Sequence, residues 1–269
     1  MSTVREALDA AITFLESQKI TGARLDSELL LAYAMHKNRA WLLAHGDDEI
    51  PTHQATDFES LISRRSEHIP VVHLTGTREF YGLDIDITPD VLTPRVETEQ
   101  MVEWAIKYAP KGSRLIDIGT GSGAIAIAIA AHRPDLHITA TEITDEALAV
   151  ATSNDKKHHS NIELIKSDLW ENVTGKYDTI VTNLPYLRED ADLMPEVRKE
   201  PAVALFGGQD GLDLYRRFLE DLPAHLNPGG FLFTECDPWQ HEDLIKEATG
   251  AGLTPIEQGY FILGFQLKA

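Results

Sequence analysis

Cysteine occurs once in 269 residues, at Cys236, so no internal disulfide can form and nothing argues for an oxidising compartment. The chain has neither a C-x-x-C pair nor H-E-x-x-H, and nothing points to a structural metal. His158 and His159 are neighbours in a polar stretch, Lys156 to Ser160. Adjacent side chains on a helix do not share a face, so the pair reads as a solvated helix end. Long apolar runs are missing too: the longest, Ala124 to Ala131, is far too short to span a bilayer. The start, Met1-Ser2-Thr3-Val4-Arg5-Glu6, enters an amphipathic pattern without the order of a signal peptide. The expectation is a cytoplasmic protein without membrane association. Basic residues are scarce, 24 Lys and Arg against 43 Asp and Glu, for a net charge of −19, and no basic run exceeds two residues. Phosphate backbones repel such a chain, so direct nucleic-acid binding is not expected and a protein or small-molecule substrate fits better.

What is present is enough apolar material, 43% of residues, to build a packed core. Residues 1–70 read as helices. Val4, Leu8, Ala11, Ile12 and Leu15 recur at helical spacing, with Gly22 as a stop. A second helix carries Leu25, Leu29, Leu30 and Tyr33, then Trp41 and Leu42, and a third follows Pro51 with Phe58, Leu61 and Ile62. Nothing in this small bundle looks catalytic, which suggests recognition. Residues 71–92 change to short extended pieces around Gly76 and Gly82, with the alternation Leu83-Asp84-Ile85-Asp86-Ile87, and read as a β-hairpin linker. Thr93-Pro94 is expected to open a helix, with Thr93 as cap and Glu97 and Glu99 at the positive end of its dipole.

From there to residue 269 strands and helices alternate. Strands are expected over 114–118, 137–141, 162–166, 177–182 and 231–234. Helices are expected over 124–132, 145–157, 212–222 and 241–250. This is the pattern of an α/β domain with a mostly parallel sheet covered on both faces. At the end, 254–257 and 261–267 around Gly259 read as an antiparallel hairpin added to one edge. The run Ala124-Ile125-Ala126-Ile127-Ala128-Ile129 alternates like a strand. It directly follows a glycine loop that itself follows a strand, so a buried helix is the better reading.

That loop, Gly119-Thr120-Gly121-Ser122-Gly123, links the first strand to the helix. Its glycines permit positive φ and let a ligand approach the main chain at the carboxyl end of the sheet, where ligands bind in open α/β folds. Gly119, Gly121 and Ala124 also satisfy G-x-G-x-x-G/A, so a nicotinamide-dependent oxidoreductase stays open. Glu142, at the end of the second strand, can accept from the vicinal hydroxyls of a ribose in either case. Against the oxidoreductase, the chain has no obvious Tyr-x-x-x-Lys or His–acid pair.

Asn183-Leu184-Pro185-Tyr186 follows the fourth strand directly. These residues suit methylation of a planar NH2 group, whose lone pair is delocalised and whose nitrogen must therefore be held and aimed. Positioning of this kind is worth about 7–11 kcal/mol. The Asn183 side-chain oxygen can accept one N–H and the Leu184 carbonyl the other. Pro185 restricts the residue before it to extended geometry, and Tyr186 can stack on the plane. Acceptors that strengthen as charge develops on nitrogen stabilise the transition state more than the ground state.

Over nearly its whole length the chain resembles the PrmC/HemK family of protein-(glutamine-N5) methyltransferases. The matching segments are Leu92-Thr93-Pro94-Arg95-Val96-Glu97-Thr98-Glu99, then Asp117 to Ala124, then Asn183 to Tyr186. Downstream follow Glu200-Pro201, Ala204-Leu205, Gly207-Gly208, Asp210-Gly211-Leu212, and Glu235 with Gln240. The resemblance implies a helical domain, a hairpin linker and a class I, Rossmann-like methyltransferase domain. It also implies transfer from S-adenosyl-L-methionine to the Gly-Gly-Gln glutamine of bacterial class-1 peptide chain release factors. S-adenosyl-L-homocysteine would be the product. Family roles would put the cofactor on Gly119, Thr120, Gly121, Ser122, Gly123, Glu142, Asp168, Leu169 and Asn183. The substrate glutamine would lie on Asn183, Leu184, Pro185 and Tyr186, with the helical domain gripping the release factor.

Two positions depart from the family: Leu184 replaces a proline and Val96 stands where a second proline is common. Asn-Leu-Pro-Tyr is also the form found in ribosomal RNA adenine dimethyltransferases, so N6-adenine methylation of RNA is the alternative within the same chemistry. The Gly207-Gly208-Gln209 of this chain reads as coincidence rather than as a substrate mimic.

Overall fold

Thr3 opens the first helix through a reciprocal cap. Its hydroxyl accepts from the Glu6 N–H at 3.3 Å, and the Glu6 carboxylate accepts from the Thr3 N–H at 2.9 Å. In the computed structural model, which describes residues 2–268, this cap starts α1 (Val4–Ser17). α2 (Ala23–Ala34), α3 (Arg39–Ala44), α4 (Thr52–Ser66) and α5 (Val71–Thr75) follow. They close on a core that includes Leu15, Leu30, Leu31, Leu42 and Phe58. Gly22 is not the stop of α1 but, at φ 83°, the left-handed residue that starts α2. Trp41 and Leu42 lie on a helix of their own, capped by the Asn38 side chain. Residues 71–75 are helical rather than extended. Pro70 precedes them and Gly76 ends them at φ 74°.

One compact unit takes in the chain up to Thr77 together with the distant segment Leu193–Lys199. A buried ion cluster fastens that segment. Arg65, 4% exposed, donates from Nε to Asp26 at 2.8 Å and from Nη2 to Glu196 at 2.9 Å, and His68 Nδ1 lies 3.2 Å from the same Glu196 oxygen. Burial pushes the Asp26 pKa up despite the opposing pull of Arg65. Burial acts the same way on Glu196, but its hydrogen bonds to Arg65 and His68 bring the net shift below the usual value.

The second unit, from Arg78 to Asp192 and from Glu200 onward, holds the sheet. Strands β1 (Thr77–Phe80) and β2 (Leu83–Asp86) make the expected hairpin. Thr93 does not cap a helix. Its buried hydroxyl bonds to no N–H among the described residues, its own N–H donates to Glu200, 107 residues away, and the chain runs on to a 3₁₀ turn over Val96–Thr98 and α6 over Glu99–Tyr108. Then come β3 (Arg114–Ile118), α7 (Ala124–His132), β4 (His137–Glu142), α8 (Asp145–His158), β5 (Glu163–Lys166) and β6 (Tyr177–Thr182). The chain ends with α9 (Asp213–His225), β7 (Leu226–Glu235), α10 (His241–Gly250), β8 (Leu253–Gln258) and β9 (Ile262–Leu267). The alternating Ala/Ile run is a helix, and Ala124 to Ile129 are all buried. His158 ends α8 but is not simply solvated, since its Nε2 meets the Asp84 carbonyl at 2.9 Å.

Sheet order is β5-β4-β3-β6-β7-β9-β8, parallel except at the β7–β9–β8 edge. One apolar cluster joins one face to α6, α7 and α8, and a second joins the other face to α9 and α10. Successive strands step outward from β3 to β4 and β5, then cross back to β6 and β7. The topology therefore reverses between β3 and β6, the place where α/β sheets open a crevice.

Replacing Arg65 by alanine leaves two partly buried carboxylates without their cation. We expect the helical unit to lose about 3 kcal/mol of stability, measured by urea unfolding followed by circular dichroism. A loss under about 0.5 kcal/mol would mean that the cluster is fully solvated in solution.

Candidate active site

Parallel pairing sets five strand ends side by side. Ile118 pairs with Thr141 on one side and Thr182 on the other, Thr182 pairs with Thr234, and Glu142 pairs with Lys166. The residues that leave the sheet next are therefore neighbours across one rim: Ser167-Asp168, Glu142, Gly119, Asn183 and Glu235. A cleft open at its mouth lies over this rim from Ser167-Asp168 to Asn183.

The glycine loop forms its floor. Gly119, Gly121 and Gly123 have φ of 74°, 56° and 83°, which a side chain would strain. The Gly119 and Thr120 N–H groups donate to the Thr141 carbonyl at 3.0 and 2.8 Å, tying the loop to β4. Asp117, fully buried beneath it, accepts from the Thr120 hydroxyl at 2.6 Å. Its other oxygen has no protein partner among the described residues, and burial pushes its pKa up to about 7. Glu142 accepts from the Gly121 N–H at 2.9 Å through Oε2 and from the Ile143 and Thr144 N–H groups at 2.8 and 3.3 Å through Oε1. Oε2 keeps a further lone pair for a ligand. Asn154, fully buried, donates to the Ser122 carbonyl and bonds Asp86 on both sides of its peptide, so β2 braces the loop.

Beyond β5, Asp168 and Leu169 face the same cleft. Leu169 holds φ 48°, and its carbonyl accepts from the Ser167 hydroxyl. Asp168 Oδ2 is paired with Arg217 at 2.9 Å, Oδ1 has no hydrogen bond among the described residues, and the apolar Ile143 and Leu169 line the same cleft.

Asn183, Leu184 and Pro185 form the opposite wall. Leu184 is buried, and its side chain packs where a Cβ on Gly119 would make contact. Its carbonyl is 3.4 Å from the Tyr215 hydroxyl, which bonds more closely to the Glu235 carbonyl. Gln240, fully buried, donates to the carbonyls of Tyr186 and Asp210, both at 3.0 Å. Gly207 and Gly211 press against the main chain of the same turn: a Cβ on Gly207 would collide with the Pro185 carbonyl, and one on Gly211 with the Tyr186 carbonyl. The Gly-Gly dipeptide before Gln209 is thus a packing device.

Of the residues expected from sequence, Gly119 to Ser122, Glu142, Asp168, Leu169 and Asn183 to Pro185 line one cleft. Two stand outside its wall. Gly123 instead caps α7. Tyr186 turns its hydroxyl to Glu235 at 3.1 Å, and burial, then the charge of Glu235, push its pKa up. The sequence reading missed Ile143, Arg217 and Tyr215. Ile143 had a usable signal, since it directly follows the strand-end acid, whereas Arg217 and Tyr215 arrive from α9 by tertiary packing alone.

Residues 6–76 match the family described as PrmC N-terminal domain, and residues 84–200 match the methyltransferase small domain. A release factor glutamine methyltransferase of Geobacter sulfurreducens is 38% identical over 90% of this chain and 87% of its own. Another, from Koribacter versatilis, is 36% identical over 96% and 95%. In fold, a methyltransferase from Pyrococcus furiosus superposes with a TM-score of 0.54 at 23% identity, over 71% of this chain and 91% of that one. The 16S rRNA N2 G1207 methyltransferase of T. thermophilus, solved with AdoMet and guanosine, gives 0.52 at 19% identity, over 72% and 50%. These relatives set aside the nicotinamide reading that the glycine pattern alone allowed. With kinship running end to end through both units, the chain belongs to the release factor glutamine methyltransferase family.

Proposed function

We propose that the protein transfers a methyl group from S-adenosyl-L-methionine to the N5 side-chain amide of the Gly-Gly-Gln glutamine in class-1 peptide chain release factors. The observation that supports this most is the register Ile118 with Thr182, which sets the Asn183 turn beside the glycine loop. The residues fit the cosubstrate chemically. Glu142 Oε2 offers an acceptor for a ribose hydroxyl, Asp168 Oδ1 one for an exocyclic amino group, and Ile143 and Leu169 offer apolar cover for a flat ring. Gly119 and Gly121 let the main chain approach closely.

When bound, S-adenosylmethionine supplies a methyl carbon made electrophilic by its sulfonium sulfur. The chain's part is to hold the amide. Asn183 Oδ1 and the Leu184 carbonyl accept its two N–H groups, and both acceptors gain strength as positive charge develops on nitrogen. Pro185 restrains Leu184. Tyr186, held at both its hydroxyl and its carbonyl, fixes the end of the turn that presents these two acceptors. Residues 1–70 grip the release factor and residues 71–92 link them to the catalytic part. The net charge of −19 supports a protein rather than a nucleic-acid substrate. No helix among the described residues is long and apolar enough to cross a membrane, and we assign the reaction to the cytoplasm, where the substrate is made.

Incubation with labelled S-adenosylmethionine and an unmodified class-1 release factor should label the Gly-Gly-Gln tryptic peptide; an unlabelled peptide would refute the assignment. Asn183→Ala should lower kcat about 100-fold, as loss of a preorganised polar contact does, with S-adenosylhomocysteine affinity within about two-fold by calorimetry. Glu142→Ala should do the reverse, weakening that affinity about 10- to 100-fold, the worth of hydrogen bonds to a charged group.

A further inference from the structure

Glu235 ends β7 at 2% exposure, so its charge needs a reason. Oε2 accepts from the Thr98 hydroxyl at 2.6 Å and Oε1 accepts from the Tyr186 hydroxyl at 3.1 Å, and Asn183, at the end of the neighbouring strand, exerts a further, weaker pull that favours the charged carboxylate. An ionised carboxylate only accepts, so each neighbour must turn a donor toward it. For Tyr186 and Thr98 that donor is a hydroxyl. For Asn183 it is the NH2, and because the amide is planar, its oxygen is then directed away from Glu235. The register Thr182 with Thr234 puts Asn183 and Glu235 at the same level on adjacent strands, so the amide and the carboxylate are neighbours.

We propose that Glu235 is a positioning residue for methyl transfer: its ionised carboxylate locks the Asn183 amide with Oδ1, not Nδ2, offered to the cleft as the acceptor for the substrate N–H. The inference rests on the carboxamide reading above. Without this lock, the amide could rotate and present a donor to a donor, which repels the substrate.

A pH signature follows. Burial raises the Glu235 pKa above its ordinary value, hydrogen bonds from Thr98 and Tyr186 oppose this, the charge of Glu97 adds to the rise, and the Asn183 amide opposes it least. Tyr186, Tyr215 and Cys236, which also face it, are all pushed up and stay neutral on the acid side. Arg95 and Asp237 act on Tyr186 from the flanks. The locked form therefore exists above the raised pKa and is lost as pH falls through it, earlier than for an ordinary glutamate.

The test uses the full chain with Glu235→Gln, whose neutral amide cannot accept from all three neighbours. Relative to wild type, kcat on a release factor should fall about 100-fold, with S-adenosylhomocysteine affinity within about two-fold, and the acid limb of the kcat profile should disappear. A variant within about three-fold of wild-type kcat, or one that keeps the limb, overturns the inference. Independently of any substrate, the Asn183 side-chain amide resonance in the S-adenosylhomocysteine complex, identified by its loss in Asn183→Ala, should titrate in wild type and not in Glu235→Gln. A resonance that does not titrate overturns the inference even if release factor is labelled, whereas a titrating resonance with no labelling sinks only the substrate reading. Should Glu235→Gln not fold, Thr98→Val removes one stabilising donor and should move the acid limb to higher pH; an unmoved limb counts against the proposal.

Discussion

Everything at the active rim depends on parallel strands ending in register. Ile118, Thr141, Thr182 and Thr234 sit level across four strands, so what each strand carries one residue further on must share one line. Hydrogen-bond spacing in the ladder enforces this, and no side chain has to be recruited to do it. Side chains are then distributed by position: the carboxylates of Glu142 and Asp168 on the β4–β5 side, the Asn183 turn and Glu235 on the β6–β7 side, and the glycine loop between them.

The turn after β6 would be loose if only its own residues held it. It is instead clamped from several directions: Tyr215 from α9, Gln240 from the turn before α10, Glu235 from β7, and the backbones of Gly207 and Gly211 pressing on its carbonyls. Leu184 in place of the family's proline is compatible with this scheme. Its side chain is buried against Gly119, so packing supplies restraint that a ring would otherwise give. Nothing in the structure gives Val96, 60% exposed, a comparable role.

Legibility followed locality. α7 was readable despite its strand-like alternation because a glycine loop preceded it, and α10 matched its expected bounds. Thr93 looked like a cap, yet its buried hydroxyl accepts from no N–H among the described residues. Gly22 looked like a stop, yet a left-handed glycine between two helices serves the next one equally well. Val71–Thr75 is too short for periodicity to separate a helical turn from an extended piece.

By itself the sequence determined the alternation of strands and helices, the glycine loop, the strand-end acid Glu142 and the Asn-Leu-Pro-Tyr turn, because each is encoded within a few residues by backbone preference and side-chain chemistry. Only the tertiary structure decided that Tyr186 faces Glu235 rather than the cleft wall, that Arg217 pairs with Asp168, and that 193–199 fasten to the helical unit through Arg65. Those contacts join residues roughly 50 to 130 positions apart. Their partners are selected by which strand pairs with which and which helix covers which face, and no local pattern records that choice.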